Sequence, residues 1–492
     1  MSNDSSVIVD QLVQVDEAYR RLVALVRSPE AQQSKSYEVE VALFRSLLAL
    51  GAKLLAVFFA SRAAAEPSGQ VIDGDGSVLV FHSWRPATYL SVFGRIVFRR
   101  RYYTGPDGHG RCPLDAALGL PGRCYSELLR DWLEYALTND VYDQSIALIN
   151  RILGLGIDKR ALERLAGEDA EDVAPFYEQL AAPAPADEGS ILVVQIDGKG
   201  VRMLPEVGEA TTGMSHRCTK KEAVVTTIYT VAPHFASPEA IADTLVGNPV
   251  DSDYVGPKPE RPALVAKKTR ATLAGKDVAF ARLARDVARR DGDHIRDRVA
   301  LTDGAQALQD RVAQYLPDFT LVLDVVHVKD YVTAAGVALY GEGYPDLRAW
   351  VACRLIEILD GRLDQTIKTI KLITALRPRS SKVYETVDTT VRYLHNNADY
   401  MHYDNYLARG WPVASSMAEG ACGHLVKDRM ERAGMRWRPP GAQAVLDLRS
   451  VRINDDWDEY QAYRRRREHE RLYGLRAPPV GCPEEDACAL AA

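Results

Sequence analysis

Cysteine is scarce in this chain and poorly placed for crosslinking. Seven cysteines occur among 492 residues, at 112, 124, 218, 353, 422, 482 and 488, and no two stand at Cys-x-x-Cys spacing. An odd count without paired spacing argues against a disulfide framework and a zinc site, and suits a reducing compartment. An excess of one charge is also missing: 61 lysines and arginines face 67 aspartates and glutamates, a net charge of −6. The overall balance does not advertise nucleic acid, so any such contact must come from local basic patches. Met1-Ser2-Asn3-Asp4-Ser5-Ser6 lacks the basic region of a secretory signal. A long apolar run is absent too. The most apolar stretch, residues 47–60, is broken by Lys53 and bracketed by Arg45 and Arg62. A membrane span needs roughly 20 apolar residues, so this stretch reads as a buried helix. Internal repeats and long low-complexity tracts are missing as well. What is left is a cytoplasmic globular chain long enough for about two to four domains.

Read along its length, residues 8–62 pattern as two helices, ended by Glu66-Pro67-Ser68-Gly69. Strands are expected over 71–103, with Asp73-Gly74-Asp75-Gly76 as a turn signal and Arg99-Arg100-Arg101 running off the last strand. From 125 to about 180 apolar residues recur at helical spacing. Helices over 142–153 and from Lys159 onward are separated by Gly154-Leu155-Gly156, with Asp158 as a cap. That is the outline of a helix-turn-helix, which bland helical hairpins share. Its DNA-reading form needs Lys159, Arg160 and Arg164 on one exposed face.

Residues 181–189, rich in alanine and proline, have linker composition and mark the end of a first region, 1–180. Strands are then expected at 191–197, 199–204 and 224–231, and loop over 232–260. A helix at 276–291, a strand at 298–303, a helix at 305–316 and a strand at 320–324 follow. The order predicts an α/β domain over 190–328 with a mixed sheet flanked by helices, as in the ribonuclease H-like fold. Residues 329–413 are helical in pattern and read as an insertion. The sheet domain is completed by 414–445, and 446–492 form a basic helix and tail.

Three segments place a carboxylate where two-metal chemistry needs one. Ile191-Leu192-Val193-Val194-Gln195-Ile196 runs into Asp197-Gly198, Val299-Ala300-Leu301-Thr302 runs into Asp303-Gly304, and Glu419 opens a helical stretch through Met430. An Asp-Gly after a strand is by itself more often a turn. Two aspartates ending neighbouring strands, joined by a glutamate from a later helix, can hold two Mg²⁺ ions, with Mn²⁺ as a substitute. Such a pair supports phosphodiester cleavage and transfer. Asp324-Val325-Val326-His327 brings a fourth carboxylate and an imidazole to the same edge. A helix N-cap and a satisfied imidazole are the plainer readings of those two.

At these residues the chain resembles a known family. Asp324-x-x-His327 after the second aspartate is similar to Mutator-like DDE transposases. Ile196-Asp197-Gly198, Leu301-Thr302-Asp303-Gly304, and Glu419-Gly420-Ala421-Cys422 with Leu425-Val426-Lys427-Asp428-Arg429-Met430 resemble the Kra-type group of bacterial insertion-sequence transposases. So do Gly434-Met435-Arg436-Trp437 and Gly441-Ala442-Gln443-Ala444, and the likeness covers residues 90 to 460. It implies Asp197, Asp303 and Glu419 as metal ligands, with Asp324 and His327 in support. It also implies double-stranded transposon ends and target DNA as partners, and a homodimer or larger assembly. Two places depart from the group's pattern. Ala414-Ser415-Ser416-Met417 precedes the glutamate in place of a glycine-rich turn, and no cysteine pair follows Tyr103. A catalytically idle DNA-binding descendant and a metal-dependent nuclease without joining activity are the alternatives.

DNA contact is expected from Arg99, Arg100 and Arg101; from Arg160 and Arg164; from Lys267 and Lys268; from Lys427, Arg429 and Arg436; and from Arg464 and Arg465. Such side chains neutralise phosphates. Trp437 beside Arg436 is a candidate for stacking on unpaired bases. Charge runs are more often solvated faces, and Glu468 and Glu470 beside the arginine run favour that reading.

Overall fold

A computed structural model describes residues 3–66, 69–72, 78–105, 108, 110–204, 220–247, 262–376, 381–414, 423–431 and 434–474. The chain forms two compact units, Met1–Phe176 with Asp456–Ala492, and Tyr177–Asp455. Residues from Asp456 onward thus group with the amino-terminal unit, whereas the sequence suggested a separate tail.

The first unit opens with a helical hairpin of α1 (Asn3–Arg27), α2 (Pro29–Gln33) and α3 (Ser36–Ala64). Ser28 caps α2 by accepting from the Ala31 N–H at 3.0 Å. A four-stranded antiparallel sheet follows: β1 (Gln70–Ile72), β2 (Val78–Ser91), β3 (Gly94–Thr104) and β4 (Gly110–Arg111), in that order. Phe59 of α3 stacks on Phe98 of β3, centroids 4.3 Å apart. Yet α3 as a whole is not the buried helix its composition predicts: Phe59 and Ala63 are buried, while Leu47, Leu54 and Phe58 are exposed.

After α4 (Pro113–Ala117), three helices pack together: α5 (Glu127–Asn139), α6 (Tyr142–Leu153) and α7 (Lys159–Ala170). The α6–α7 turn is fixed by Gly154, whose φ of 71° suits glycine, and by Asn150. The Asn150 side chain donates to the Ile157 carbonyl and accepts from the Ile157 N–H, both at 3.1 Å. The C-terminal helix Trp457–Tyr473 lies against this bundle. Its Trp457 indole donates to Asp131 at 2.6 Å, and Tyr460 meets Phe176 edge-on.

The second unit begins within α8 (Val173–Gln179) and is built on a five-stranded sheet. Its strands are β5 (Ile191–Arg202), β6 (Lys220–Val231), β7 (Val265–Thr272), β8 (Asp297–Thr302) and β9 (Thr320–Leu323), in the order β7-β6-β5-β8-β9. β6 runs antiparallel to both neighbours, and β5, β8 and β9 are parallel. The near-continuous apolar run of β5 is what a strand covered on both faces requires. Leu192, Val194 and Ile196 pack on α10 (Lys276–Arg290) and α11 (Gln306–Tyr315). Ile191 and Val193 face the other way, into a core with α9 (Pro238–Val246), α12 (Val325–Tyr340), α13 (Leu347–Leu359), α14 (Leu363–Ala375), α15 (Ser381–Asn396) and α16 (Tyr403–Ala408). The helical pattern over 329–413 is therefore one layer of an α/β/α sandwich. A last helix, α17 (Pro439–Ile453), packs along β7.

Two strand expectations are corrected. Asp197-Gly198 does not end a strand: β5 continues through it to Arg202, paired with β6 along its whole length. The expected second strand, 199–204, is the continuation of β5 to Arg202; β7 is a strand that was not expected, and α9 occupies part of the expected loop.

Candidate functional site

The parallel pairing of β5, β8 and β9 stops in register, although β5 itself runs on. Ile196 pairs with Thr302, and Thr302 with Leu323. The next residue of each strand is an aspartate: Asp197, Asp303 and Asp324. Three carboxylates thus leave one row of the sheet on strands spaced about 4.8 Å apart. The row lies where strand order reverses. β5, β6 and β7 progress to one side, and the chain then returns to lay β8 and β9 on the other. Open α/β sheets bind ligands at that switch point, outside the carboxyl ends of the strands.

Each aspartate is held differently. Asp197 is half-buried and accepts from the Gly198 N–H at 2.6 Å. Here β8 has ended, while β5 and β6 continue as a two-stranded ribbon. Asp303 is half-buried and accepts from the Ala305 N–H at 2.9 Å, so it also makes the local turn. Among the described residues the second oxygen of each carboxylate has no hydrogen bond. Asp324 is buried and caps α12 by accepting from the Val326 N–H at 3.0 Å. The plainer reading of Asp324 is thus the one its geometry displays. The His327 Nε2 stands 3.9 Å from the Asp324 carboxylate, with a third of its side chain exposed.

The helical layer pins these strand ends. The Tyr393 hydroxyl on α15 donates to the Asp303 carbonyl at 3.0 Å, and Tyr393 stacks on Tyr331, centroids 3.7 Å apart. The Tyr403 hydroxyl donates to the Leu323 carbonyl at 2.7 Å. Asn397 accepts from Gln309 at 2.6 Å beneath Gly304. Gly304 has φ +88°, and a Cβ there would press on Leu323, Asn397 and Tyr393. Burial pushes both tyrosine hydroxyls up, and they stay protonated as donors.

Glu419 lies outside the described residues. Its flanks do not. The Val413 carbonyl accepts from the Val325 N–H at 3.0 Å, beside Asp324. On the far side Gly423–Lys427, a π-helical turn, packs against β5. Among the described residues no three carboxylate, histidine or cysteine side chains form a metal-sized cluster. Hard oxygen donors at Asp197 and Asp303 nevertheless suit Mg²⁺ in chemical type.

The basic residues divide. In the first unit Lys159, Arg160 and Arg164 are all exposed at the start of α7, and Arg99 and Arg465 are exposed. Arg100 is bound to Asp115 at 2.6 Å. Arg101 is buried, its guanidinium bonded to the Glu66 carbonyl and lying 5.0 Å over Trp84. Arg464 faces inward. It is fully buried and pairs with Glu127, with Asp169 at 3.4 Å and with Glu468 at 2.9 Å.

In the second unit Lys427 and Arg436 are exposed. Lys267 and Lys268 are half-buried in β7. Arg429 is buried under Trp437, its guanidinium 5.0 Å from the ring. Trp437 is 6% exposed and donates to the Met430 carbonyl at 3.0 Å, so it offers no face to a base. Its backbone instead extends β5, donating to the Arg202 carbonyl at 3.0 Å and accepting from the Leu204 N–H at 2.8 Å.

That pairing adds cations the sequence reading missed, on β5 and β6, to the expected Arg436. Lys199, Arg202, Lys220 and Lys221 line the β5–β6 ribbon just past Asp197, and Arg436 and Arg438 flank the strand-like Trp437. Lys199 and Arg202, both inside the expected strand 199–204, were the available signal. It was hidden because Asp197-Gly198 read as a turn.

No family model matches the chain, and no curated protein matches it. Among solved structures, the strand transfer complex of the Drosophila P element transposase aligns with a TM-score of 0.24 and 9% identity, over 70% of this chain and 81% of that one. That degree of likeness identifies no shared function.

Proposed function

We propose that the chain is a DDE-type DNA transposase of a bacterial insertion sequence, with a ribonuclease H-like second unit. The observation that carries this reading is the placement of Asp197 and Asp303 one residue beyond the paired Ile196 and Thr302, at the switch point of the sheet. The motif resemblance around Glu419 supports it independently of the sheet. Asp197, Asp303 and Glu419 would hold two Mg²⁺ ions, which when bound polarise a phosphodiester and lower the pKa of an attacking hydroxyl. The protein supplies Asp197 from within the paired β5 and Asp303 from just past β8, with Tyr393 holding the Asp303 carbonyl and Tyr403 holding the neighbouring end of β9. The cationic β5–β6 ribbon positions the phosphate backbone next to them. In the first unit, the exposed Lys159, Arg160 and Arg164 face of α7 reads the element ends. Water attacks in the first cleavage, and the freed 3′-hydroxyl attacks target DNA in the second step. Two ends must be held together, so the working form is a homodimer or larger.

The test uses labelled element ends, Mg²⁺ and a plasmid target. Asp197→Asn, Asp303→Asn and Glu419→Gln are each expected to abolish cleavage and joining while leaving the unfolding transition unchanged. Full joining by any one of them removes that residue from the site. Binding without cleavage by the unmodified chain selects an idle DNA-binding protein, and cleavage without joining selects a nuclease.

A further inference from the structure

The β2–β3 hairpin carries charge of one sign only. From residue 76 to residue 106 the chain has no aspartate or glutamate, in a protein where acids outnumber bases. Five arginines fall in that stretch: Arg85, Arg95, Arg99, Arg100 and Arg101. The fold answers some of them. Arg100 is paired with Asp115, Arg101 is bonded to the Glu66 carbonyl, and the Arg85 guanidinium stands 3.4 Å over the Tyr102 ring. Arg95 and Arg99 are exposed and form no ion pair among the described residues.

Alternation sorts the hairpin into two faces. Ala87, Ile96 and Phe98 are buried against α3. The other face holds Arg95, Val97 and Arg99 on β3, set opposite Leu90, Thr88 and Pro86 on β2. Cross-strand partners share a face. Arginines therefore close both ends of a strip whose middle is Thr88 and Val97, the latter 58% exposed. The hairpin is held at both ends. β1 and β4 pair with it only beyond Trp84 and Arg101, and near its turn the Leu90 backbone bonds to Cys124 and Ser126 at 2.6 and 2.9 Å. Between these anchors, from Arg85 to Tyr89, it is two strands wide.

We propose that this outer face is a docking surface for duplex DNA, laid in the major groove. Unopposed positive charge on a backbone already held in place is complementary to a polyanion and loses little freedom on binding. Cations at the ends with small apolar groups between them match a groove, which has phosphate at its rims and thymine methyls on its floor. The B-form major groove, about 12 Å wide, admits a two-stranded ribbon. That of double-stranded RNA is too deep and narrow. Of the arginine run 99–101, only Arg99 belongs to the surface; Arg95, Val97 and Thr88 complete it. The inference rests on DNA as the ligand of this chain and not on cleavage.

Fluorescence anisotropy of the full chain with labelled duplex DNA of mixed sequence, over a salt series, tests it. Arg95→Ala with Arg99→Ala is expected to weaken binding about 10-fold or more and to lower the slope of log affinity against log salt by about 2. Val97→Asp, at an exposed position, is expected to weaken binding as much. Arg20→Ala with Arg21→Ala removes the same charge from α1 and is expected to leave affinity within about 2-fold. Double-stranded RNA of the same sequence is expected to bind the unmodified chain and the Arg95/Arg99 variant alike. Unchanged DNA affinity in the Arg95/Arg99 or Val97 variant overturns the proposal, as does an equal loss on RNA or in the α1 control. An unmodified chain that binds no duplex overturns it together with the transposase reading. The expected losses in a chain that cleaves nothing support the surface and overturn only the catalytic reading.

Discussion

Arg464 is the residue whose sequence context and structural setting disagree most, and its replacement separates the two. In Arg464-Arg465-Arg466-Arg467 it looks like one member of a phosphate-binding run. In the fold it is fully buried. Its Nε donates to Gln461 at 3.0 Å, one terminal nitrogen reaches Asp169 and Glu468, and the other reaches Glu127. Arg130 shares Asp169, Glu127 and Glu468 from the opposite side. Burial works against the charge of Arg464, but Asp169 and Glu134 outweigh it, and the guanidinium is held in its charged form. Arg464→Ala leaves the buried Asp169 and Glu134 with Arg130 as the one cation of the pair still beside them. Removing one partner of a buried pair costs about 3–5 kcal/mol, a large share of a total near 5–15 kcal/mol. With a urea m-value of about 2 kcal/mol/M, the midpoint of the first unit falls by about 1.5–2.5 M. Arg464→Lys recovers only part of the loss, because an ammonium cannot serve three directions with a planar fork. Arg465→Ala, exposed, is the control and stays within about 0.5 kcal/mol. If Arg464→Ala is as stable as Arg465→Ala but binds DNA more weakly with a shallower salt dependence, Arg464 is a phosphate contact and the buried-network account fails.

Two further outcomes follow from the same interactions. Tyr393→Phe removes the donor to the Asp303 carbonyl while keeping the stack on Tyr331. It is expected to cost about 1–3 kcal/mol in urea unfolding of the second unit and to lower Mg²⁺-dependent cleavage; unchanged cleavage with unchanged stability would show that the turn holds itself. Glu134, beside Asp169, has its carboxyl raised well above 4.5 by burial first and the Asp169 charge second. An acid raised on folding contributes stability fully below its unfolded pKa and loses it as pH rises through the folded value. Glu134→Gln keeps the neutral shape, so it is expected to flatten the decline in stability between about pH 5 and 8, read as urea midpoints across that range; a decline as steep as that of the unmodified chain would clear Glu134 of responsibility.

The second unit was more legible than the first, for physical reasons. β5 opens with a run rich in β-branched residues and β8 has a short apolar run, both covered on both faces, and such runs declare themselves without context. Asp197 was legible as a site candidate but not as a mid-strand residue. Gly198, which read as a turn signal, and Gly200 are instead places where a Cβ would press on the side chains of Glu222 and Lys220 across the ribbon. β7 was hidden because Lys267-Lys268-Thr269-Arg270 looks like a charged loop. In the fold Asn454 accepts from the Thr269 N–H at 2.7 Å and donates to the Thr269 carbonyl at 3.0 Å, tying that strand down. The burial of Arg429 and Arg464 was not legible at all. Composition shows a cation, and only the fold shows whether its anions come from the protein or from DNA.

The network around Arg130 also sets an order of events in the cell. Arg464 stands 295 residues after Asp169 in the chain. At translation rates near 5–20 residues per second, Asp169 and Arg130 leave the ribosome about 15–60 s before the helix that completes them. Through that interval the whole second unit emerges and can fold, while in the bundle of the first Arg130 faces Glu127 and Asp169 without Arg464. Synthesis interrupted between the end of the second unit at Asp455 and Arg464 therefore releases a complete sheet domain joined to an unfinished bundle, a species exposed to chaperones and proteases rather than a smaller working protein.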